Sequence, residues 1–317
     1  MYDFKMKKRQ TTSNILMVRP ANFGFNVETA ENNAFQVNDT SLTIKEIQER
    51  ATQEFDNMVQ ILRGRAVNVL VAEDSPSPIK TDSIFPNNWI TCHDDGTMIL
   101  YPMFAPSRRW ERSDAIQETL QKAFIVKKRI HFEHYEAVGK YLEGTGSMIL
   151  DRPNELCYAC ISPRTDRSLL DEWCDTMHFK RVTFTAVDGG GKEIYHTNVM
   201  MALGETFVVI CLETIPNEAE KLNLIKHFEL TKKDIVEISL DQMMLFAGNM
   251  LQIRNDFGET FLVMSQQAFD ALNRTQIAHI QRHTEILSAD IKTIETYGGG
   301  SARCMMAEIF FEKKEAI

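Results

Sequence analysis

Four β-hairpin patterns recur along the sequence at a nearly constant interval, and this repetition limits the possible folds more than any other feature. Each pattern consists of two apolar runs rich in β-forming residues around a short turn of Asp, Asn, Gly, Glu or Pro. The paired runs are Trp89–His93 with Thr97–Tyr101, Met148–Leu150 with Leu156–Ile161, Val199–Leu203 with Thr206–Cys211, and Leu251–Arg254 with Thr260–Met264. Repetition of a small unit at this period is typical of propellers and related arrays.

A helical pattern follows each hairpin, and a polar residue able to cap the helix precedes it. The four candidate caps are Ser113, Thr165, Asn217 and Ser265. A short apolar strand then leads to the next hairpin, as at Arg181–Thr185 and Ile235–Ile238. The repeated unit is therefore strand, strand, helix, strand.

The two ends of the chain supply the parts of a fifth unit. The N-terminal part offers a strand at Ile15–Val18, an amphipathic helix near Thr43–Leu62 and a strand at Val67–Val71. The missing strand is Met305–Phe311, close to the C-terminus. Pairing of the two ends would close a ring of five modules.

We therefore predict an α+β fold of the five-bladed α/β propeller type, with ββαβ modules in one domain over residues 1–317. Residues 1–13 are expected to form a flexible N-terminal extension. A pair of α/β domains divided near Asp188–Gly191 remains an alternative, because this glycine-rich stretch could be a linker or a loop.

The composition is that of an ordinary globular protein: 317 residues, 44% hydrophobic, with 35 basic and 44 acidic side chains and a formal net charge of -9. The sequence lacks long Lys/Arg runs and the roughly 18-residue apolar stretch of a membrane span, so neither nucleic acid nor membrane is an expected partner. Six cysteines are too few for a disulfide scaffold, which favours reduced thiols and a cytoplasmic protein. A homo-oligomer is left open.

A polar position precedes the first hairpin strand of every module, including the fifth. These positions are Asn88, Glu143, His196, Asn249 and Cys304, which lie 55, 53, 53 and 55 residues apart. If the modules are related by rotation about one axis, the five side chains converge on it. A thiol nucleophile, an imidazole that transfers protons and a carboxylate that orients it would then share a pocket.

Motifs around these positions resemble those of the guanidino-group modifying enzymes, which include arginine deiminase, dimethylarginine dimethylaminohydrolase and the amidinotransferases. The motifs are Leu142–Gly146 (LEGTG), Tyr195–Asn198 (YHTN), Gly299–Cys304 (GGSARC), Ala105–Arg109 (APSRR) and Ser162–Thr165 (SPRT). The resemblance runs from about Arg19 to the C-terminus and implies the five-bladed α/β propeller known as the pentein fold. The overall pattern is most similar to the citrulline hydrolase branch, often called amidinotransferase-like.

The resemblance implies roles for particular side chains. Cys304 would be the nucleophile, His196 the general acid and base, and Glu143 its carboxylate partner. Arg164 and Arg108 would bind the α-carboxylate of an amino-acid substrate. Asp82 matches a substrate-binding aspartate of the dimethylarginine enzymes. The resemblance requires neither a cofactor nor a metal.

Asn88 and Asn198 stand where arginine deiminases have aspartates that bind the cationic guanidinium. A guanidinium offers only donors, whereas a ureido group also offers a carbonyl acceptor, which suits the amide of asparagine. We therefore expect a cysteine-dependent C–N hydrolase that converts citrulline to ornithine, carbon dioxide and ammonia. The alternatives are an arginine deiminase or dihydrolase, an amidinotransferase, and a non-catalytic propeller that binds a protein partner.

A second cluster of metal-binding residue types has nearly the spacing of a structural zinc site. It comprises Cys157, Cys160, Cys174 and His178. Cys157 and Cys160 are three apart in an alternating strand and face opposite sides of it, which argues against a shared metal.

Overall fold

The computed structural model describes residues 8–31 and 33–315, and it contains five three-stranded sheets. The strands are β1 (Asn14–Arg19), β2 (Asn68–Glu73), β3 (Ile90–Cys92), β4 (Thr97–Leu100), β5 (Lys128–His131), β6 (Ile149–Asp151), β7 (Leu156–Cys160), β8 (Lys180–Phe184), β9 (Met201–Leu203), β10 (Phe207–Ile210), β11 (Asp234–Glu237), β12 (Leu251–Arg254), β13 (Thr260–Ser265), β14 (Glu285–Ala289) and β15 (Ala307–Glu308). Each sheet has one antiparallel and one parallel pair around its middle strand.

Helices connect the parallel strands of each sheet and occupy several of the loops between sheets. They are α1 (Val27–Ala30), α2 (Ile44–Gly64), α3 (Asp114–Ala123), α4 (Gly144–Ser147), α5 (Arg167–Met177), α6 (Glu218–Leu230), α7 (Leu240–Met244), α8 (Gln266–Ala271), α9 (Arg274–Gln281) and α10 (Lys292–Gly298). The predicted order of strand, strand, helix, strand is thus confirmed in the four central modules. A parallel pair needs such a crossover, because a tight turn can join only antiparallel strands.

The fifth sheet combines the two ends of the chain, as the repeat predicts. Strands β1 and β15 are antiparallel, with Ile15 opposite Glu308 and Leu16 opposite Ala307. On its other side β1 pairs with β2, and these two strands are parallel. The C-terminal strand is shorter than the predicted Met305–Phe311. Beyond Glu308 the chain turns to the neighbouring sheet, where Ile309 forms an isolated bridge with Cys92.

The helices begin close to the predicted caps, with one correction. Thr43 caps α2 through a capping box with Glu46, and Asn217 and Ser265 accept hydrogen bonds from the first turns of their helices. Thr165, however, is not the cap of α5. Asp166 has that role and accepts a hydrogen bond from the Leu169 N–H, which its charge strengthens at the positive end of the helix.

The apolar face of each long crossover helix packs on its sheet. In α5 this face is fully or nearly fully buried, and Trp173 is the largest side chain on it. Removing a buried tryptophan side chain typically costs about 3–5 kcal/mol of stability. Apolar burial between helix and sheet therefore holds each module together. The loops that lead into the first hairpin strand of each module are available for polar groups.

The described part of the predicted N-terminal extension is packed against the rest of the protein, which corrects that part of the prediction. The Gln10 side chain is 8% exposed and donates to the Leu150 carbonyl, and the Thr12 hydroxyl donates to the Ile309 carbonyl. These contacts are long-range hydrogen bonds that the polar sequence gives no reason to expect. Residues 1–7 lie outside the described residues.

Packing is continuous across the alternative domain boundary at Asp188–Gly191. One apolar cluster includes Tyr158 and Val182 before this stretch and Phe207 and Phe228 after it. Tyr158 and Phe228 have ring centroids 5.3 Å apart. In the described ranges, none of the helices has both the length and the apolar character required to cross a membrane.

Candidate active site

Two of the three residues expected to be catalytic form a buried pair. Glu143 precedes α4 and His196 precedes β9, so the two hold equivalent positions in consecutive modules. The His196 Nε2 lies 2.7 Å from the Glu143 Oε2, and the second carboxylate oxygen accepts from the Phe104 N–H at 2.8 Å. The carboxylate is therefore fixed on both sides and can orient the imidazole.

Burial and neighbouring charges set the protonation of this pair. Burial alone would raise the pKa of Glu143, but the charge of Arg164, the hydrogen bond from His196 and the charge of Arg108 lower it well below its usual value. Burial lowers the pKa of His196 to about 4. The hydrogen bond and the charge of Glu143 oppose this shift, whereas the charges of Arg164 and Arg108 add to it. A charged carboxylate and a neutral imidazole are expected at neutral pH.

Cys304 lies between two asparagine side chains. Its Sγ is 3.5 Å from the Asn198 Nδ2 and 3.4 Å from the Asn249 Nδ2, and the residue is 7% exposed. Both amide N–H groups can donate to the sulfur, and the thiol can in turn donate to the Asn249 Oδ1 at 3.7 Å. The arrangement can therefore support nucleophilic chemistry at Cys304.

Asn249 is one of the five positions that the repeat predicts to converge, but the sequence motifs assign it no role. It occupies the equivalent position of its own module, as that register predicts. Its amide is held in one orientation, because Oδ1 accepts from the Arg303 N–H and Nδ2 is 3.0 Å from the Asn198 carbonyl. Asn249 thus positions both the thiol and the neighbouring Asn198.

The glycines of the LEGTG motif allow the modules to approach each other closely. A Cβ on Gly146 would lie 2.8 Å from the His196 Nδ1 and closer still to the Asn88 Nδ2. Gly144 has a φ of +48°, and a Cβ at this position would collide with the Asn87 backbone of the preceding module. Side chains at either position would displace the imidazole or separate the modules.

A narrow cavity joins these groups. His196, Cys304 and the Gly298–Gly300 loop form part of its wall. The complete lining is Thr29, Asn33, Asp82, Phe85, Asn88, Arg108, Arg164, Tyr195, His196, Gly298, Gly299, Gly300 and Cys304. The cavity therefore includes the predicted nucleophile, its imidazole and four of the five predicted substrate-binding residues.

Arg108 reaches the cavity wall but is already bound by protein groups. Its Nε and Nη2 donate to both carboxylate oxygens of Glu111 at 2.8 and 2.9 Å, and Nη1 donates to the Asn88 Oδ1 at 2.9 Å. Burial raises the pKa of Glu111 to about 7, although Arg108 opposes the shift. Glu111 is not identified by sequence reasoning. Because Arg108 already donates to both oxygens of Glu111, it has little capacity left to bind a substrate carboxylate.

Arg164 is the second predicted carboxylate ligand, and it also lies in the wall. Its guanidinium carbon is 4.7 Å from the centroid of the Tyr195 ring, and its Nη1 is 3.5 Å from the Glu143 Oε2. Its Nη2 donates to the Thr29 carbonyl at 3.5 Å. Arg164 therefore links the N-terminal segment to the buried carboxylate.

Asp82 presents a carboxylate to the cavity. Its Oδ2 accepts from the Asn26 Nδ2 at 2.8 Å and is 3.7 Å from the Arg108 Nε. Its Oδ1 is buried and accepts no hydrogen bond from the described residues. Burial raises the pKa of Asp82, and the charge of Arg108 opposes this. A ligand donor is the natural partner for the unsatisfied oxygen.

The two substituted asparagines also carry unsatisfied atoms. The Asn88 Nδ2 and the Asn198 Oδ1 are buried and have no hydrogen-bond partner within residues 8–31 and 33–315. The Asn88 orientation is fixed, because its Oδ1 accepts from Arg108. The site thus offers an amide donor at Asn88, and acceptors at Asn198 and Asp82.

The cysteines of the zinc-like pattern are separated, as strand alternation predicts. The Cys160 Sγ donates to the Ile194 carbonyl, whereas Cys157 packs in a different apolar cluster together with Cys174. His178 ends α5 with a φ of 60°. All six cysteines are buried free thiols.

The family model of N,N dimethylarginine dimethylhydrolase, eukaryotic, matches residues 19–311. The chain belongs to this family, within the guanidino-group modifying enzymes with the pentein fold, and the family consists of hydrolases that act on guanidino C–N bonds. No curated protein sequence matches the chain significantly.

Solved structures share the fold at low sequence identity. The N-terminal domain of ArgZ, in a variant covalently bound to a reaction intermediate, has a TM-score of 0.72 at 14% identity and covers 93% of this chain and 97% of its own. Apo ArgZ, an arginine dihydrolase from the ornithine–ammonia cycle in cyanobacteria, gives 0.73 at 14% identity, with 93% of this chain and 40% of its own covered. A variant of dimethylarginine dimethylaminohydrolase bound to S-methyl-L-thiocitrulline gives 0.63 at 14% identity, with 94% and 100% covered.

Proposed function

We propose that the protein is a cysteine-dependent hydrolase of arginine-type amino acids that carries the reaction through the ureido stage to ornithine. Citrulline is then itself a substrate. Arginine is first converted to citrulline, with release of one ammonia, and the citrulline is then hydrolysed. The observation that carries this proposal is a set of unsatisfied atoms at the site: the Asn88 Nδ2 donor and the Asp82 Oδ1 acceptor, on two residues that line the cavity, and the Asn198 Oδ1 acceptor, on the residue that contacts Cys304.

These atoms match a ureido group better than a guanidinium alone. A guanidinium has only N–H donors, so it satisfies the acceptors of Asp82 and Asn198 but places a donor against the Asn88 Nδ2. A ureido oxygen accepts from that Nδ2 while its nitrogens still donate. Asp82 supplies a carboxylate for the cationic guanidino substrate, which is consistent with the family name and with the arginine dihydrolase activity of ArgZ.

In the proposed mechanism neutral His196 takes the proton of the Cys304 thiol, and the resulting thiolate attacks the central carbon of the bound group. The C–S bond forms, a C–N bond breaks, and His196 delivers the thiol proton to the departing nitrogen. A water molecule then attacks the thioester-like carbon, and His196 takes its proton and returns it to the sulfur as the C–S bond breaks. Arginine and water give citrulline and ammonia, and citrulline and water give ornithine, carbon dioxide and ammonia.

The remaining groups hold the substrate and the catalytic pair. Glu143 keeps the imidazole in orientation, and the Asn198 and Asn249 amides stabilise the negative sulfur. Arg164 is the proposed ligand of the substrate α-carboxylate. Arg108 assists by holding Asn88 in its donor orientation, which is a smaller role than direct carboxylate binding.

We also propose that the five sheets close into one five-bladed α/β propeller domain of residues 1–317. Contacts between neighbouring modules support this arrangement, since β3 is next to β15, β6 packs on β9, and β9 packs on β12. A closed ring places the five equivalent polar positions around a single axis. The free state of all six cysteines is compatible with a reducing compartment, and we propose the cytoplasm.

A parallel assay of arginine, citrulline, agmatine and dimethylarginine tests the proposal when ammonia and ornithine are measured separately. We expect ornithine from citrulline and from arginine, with two ammonia molecules per arginine. Agmatine lacks the α-carboxylate and should be turned over far less efficiently. Conversion of arginine or dimethylarginine that stops at citrulline would overturn the ureido step.

A further inference from the structure

Three metal-ligating side chains meet on the outer side of the protein, away from the cavity. His279 Nε2 and His283 Nε2 lie 3.2 and 3.1 Å from the same carboxylate oxygen, Oδ2 of Asp234. The three ligand atoms lie within 4.8 Å of one another. Throughout residues 8–31 and 33–315, no other set of three His, Cys, Asp or Glu side chains comes together in this way.

The local structure fixes these positions. His279 lies in the last turn of α9, and His283 follows it one turn later, where the Ile280 carbonyl still accepts from the His283 N–H. Two histidines four residues apart on a helical turn face the same side, which is the spacing of helical zinc ligands. Asp234 begins β11 and comes from the preceding module, 45 residues earlier in the chain.

Thr206 contacts the second ring nitrogen of His283 and so fixes the orientation of this imidazole. The His283 Nδ1 is 2.8 Å from the Thr206 Oγ1, and the ring lies 5.2 Å from the ring of buried Phe207. Metal-binding histidines nearly always direct their other ring nitrogen to such a partner, which fixes the ring and its tautomer. His283 is therefore oriented by groups that would be retained when a cation binds.

The distances suit a small divalent cation. Ligands about 2.0–2.1 Å from a tetrahedral zinc ion are about 3.3 Å from each other. The two observed N···O separations of 3.1 and 3.2 Å are close to this value. The His279 and His283 side chains are 24% and 14% exposed, and Asp234 is 53% exposed, so water can take a fourth position.

We propose that Asp234, His279 and His283 form a binding site for one zinc-like divalent cation, with water as the fourth ligand. The cation links α9 of the fourth module to β11 of the third, and thereby stabilises the contact between two modules. Two imidazoles and one carboxylate select zinc and its transition-metal neighbours over calcium or magnesium, which prefer oxygen ligands. The proposal does not depend on the proposed reaction, because none of the three residues lines the catalytic cavity.

Zinc titration of the untagged, metal-free full chain tests this site. The binding is measured by calorimetry and metal analysis, and cobalt absorption reports the ligand geometry. The titration uses the Cys304→Ser background, so that zinc binding at the catalytic thiol does not contribute. We expect one equivalent of zinc and a higher melting temperature in its presence.

Variants locate the metal. His279→Gln, His283→Gln and Asp234→Asn should each weaken zinc binding by about 100-fold or more, and Thr206→Val by about 10–100-fold because it supports a ligand. His227→Gln, on α6, serves as the matched control and should retain the affinity and the melting shift.

Absence of saturable zinc binding would overturn the proposal. Binding that survives all three ligand substitutions would also overturn it. Circular dichroism of each variant without metal shows whether the fold is intact. Because the three substitutions are conservative and the side chains partly exposed, loss of binding in at least two folded variants is the result that supports the site.

Discussion

The Nε2 atom of His196 and the Oε2 atom of Glu143 are 2.7 Å apart in a contact almost completely withdrawn from solvent. Arg164 lies 3.5 Å from the same carboxylate oxygen. A buried carboxylate is stable as an anion only with such partners, so the pair depends on Arg164 as well as on its own hydrogen bond. The orientation of the imidazole is thus set by a network drawn from three sequence motifs.

Replacing Glu143 by Gln should reduce kcat by about 100-fold or more. The amide retains the shape of the carboxylate but cannot stabilise the imidazolium that forms when His196 accepts a proton. Steady-state kinetics with citrulline measure the loss. Glu229→Gln, at an exposed position of α6, is the control and should have normal kinetics. Similar activity of both variants would show that Glu143 does not assist His196.

The pH dependence of kcat/KM should have an acid limb below the ordinary range of histidine. Burial lowers the pKa of His196 to about 4, and Glu143 opposes this shift. The base form of His196 is therefore maintained well below pH 6.5, and Glu143→Gln should move the limb to lower pH still. A limb at or above pH 6.5 in the unmodified protein would contradict this account of the pair.

Acid should also destabilise the fold through this residue. An unfolded histidine takes up its proton near pH 6.5, whereas folded His196 resists protonation until about pH 4. The unfolded chain therefore binds more protons between these values, and the stability contributed by neutral His196 declines as the pH falls through that window. Urea unfolding of the unmodified protein and of His196→Gln should show a weaker pH dependence for the variant across this range.

Asn88→Asp should shift the preference from citrulline towards arginine. The substitution removes the unsatisfied Nδ2 donor and adds negative charge to a cavity that already contains Asp82. Loss of one hydrogen bond worth about 1.4 kcal/mol corresponds to a tenfold change, so the ratio of the two kcat/KM values should change by about tenfold or more. Asn223→Asp, on the exposed side of α6, should leave the ratio unchanged. An unchanged ratio in Asn88→Asp would remove the structural basis for ureido preference.

Gly146→Ala should abolish most activity, because the added methyl group meets both His196 and Asn88. The expected loss is about 100-fold in kcat, since small displacements of a catalytic group have effects of this order. Gly64→Ala provides the comparison, because nothing lies within 4 Å of a Cβ at Gly64. Crystal structures or NMR spectra of the two proteins would show whether the imidazole moves only in Gly146→Ala.

Much of the architecture follows from local sequence. Hairpin turns and helical periodicity are short-range properties, so they predict the strand, strand, helix, strand unit and the order of the sheets. The regular spacing of the five polar positions also identifies Glu143, His196 and Cys304, which the structure brings close to one cavity. Repetition converts a long-range relationship into a pattern that can be read from the sequence.

Contacts outside the repeat could not be found in this way. The burial of Gln10 and the contact of Asp234 with His279 depend on how side chains pack after the modules assemble, because the partners lie far apart in the sequence. The cap of α5 is Asp166, one residue after the predicted Thr165, because both residue types are good caps and only the backbone conformation distinguishes them.

Mass spectrometry of the protein after acid quench during citrulline turnover tests the central claim most directly. The account predicts a covalent adduct on the peptide that contains Cys304, formed and lost at rates compatible with turnover, and no adduct on the other five cysteines. Cys304→Ala should form no adduct and release no ornithine while it unfolds at the same temperature as the unmodified protein. Full turnover by Cys304→Ala, or turnover without any adduct on Cys304 at any quench time, would contradict nucleophilic catalysis by this residue.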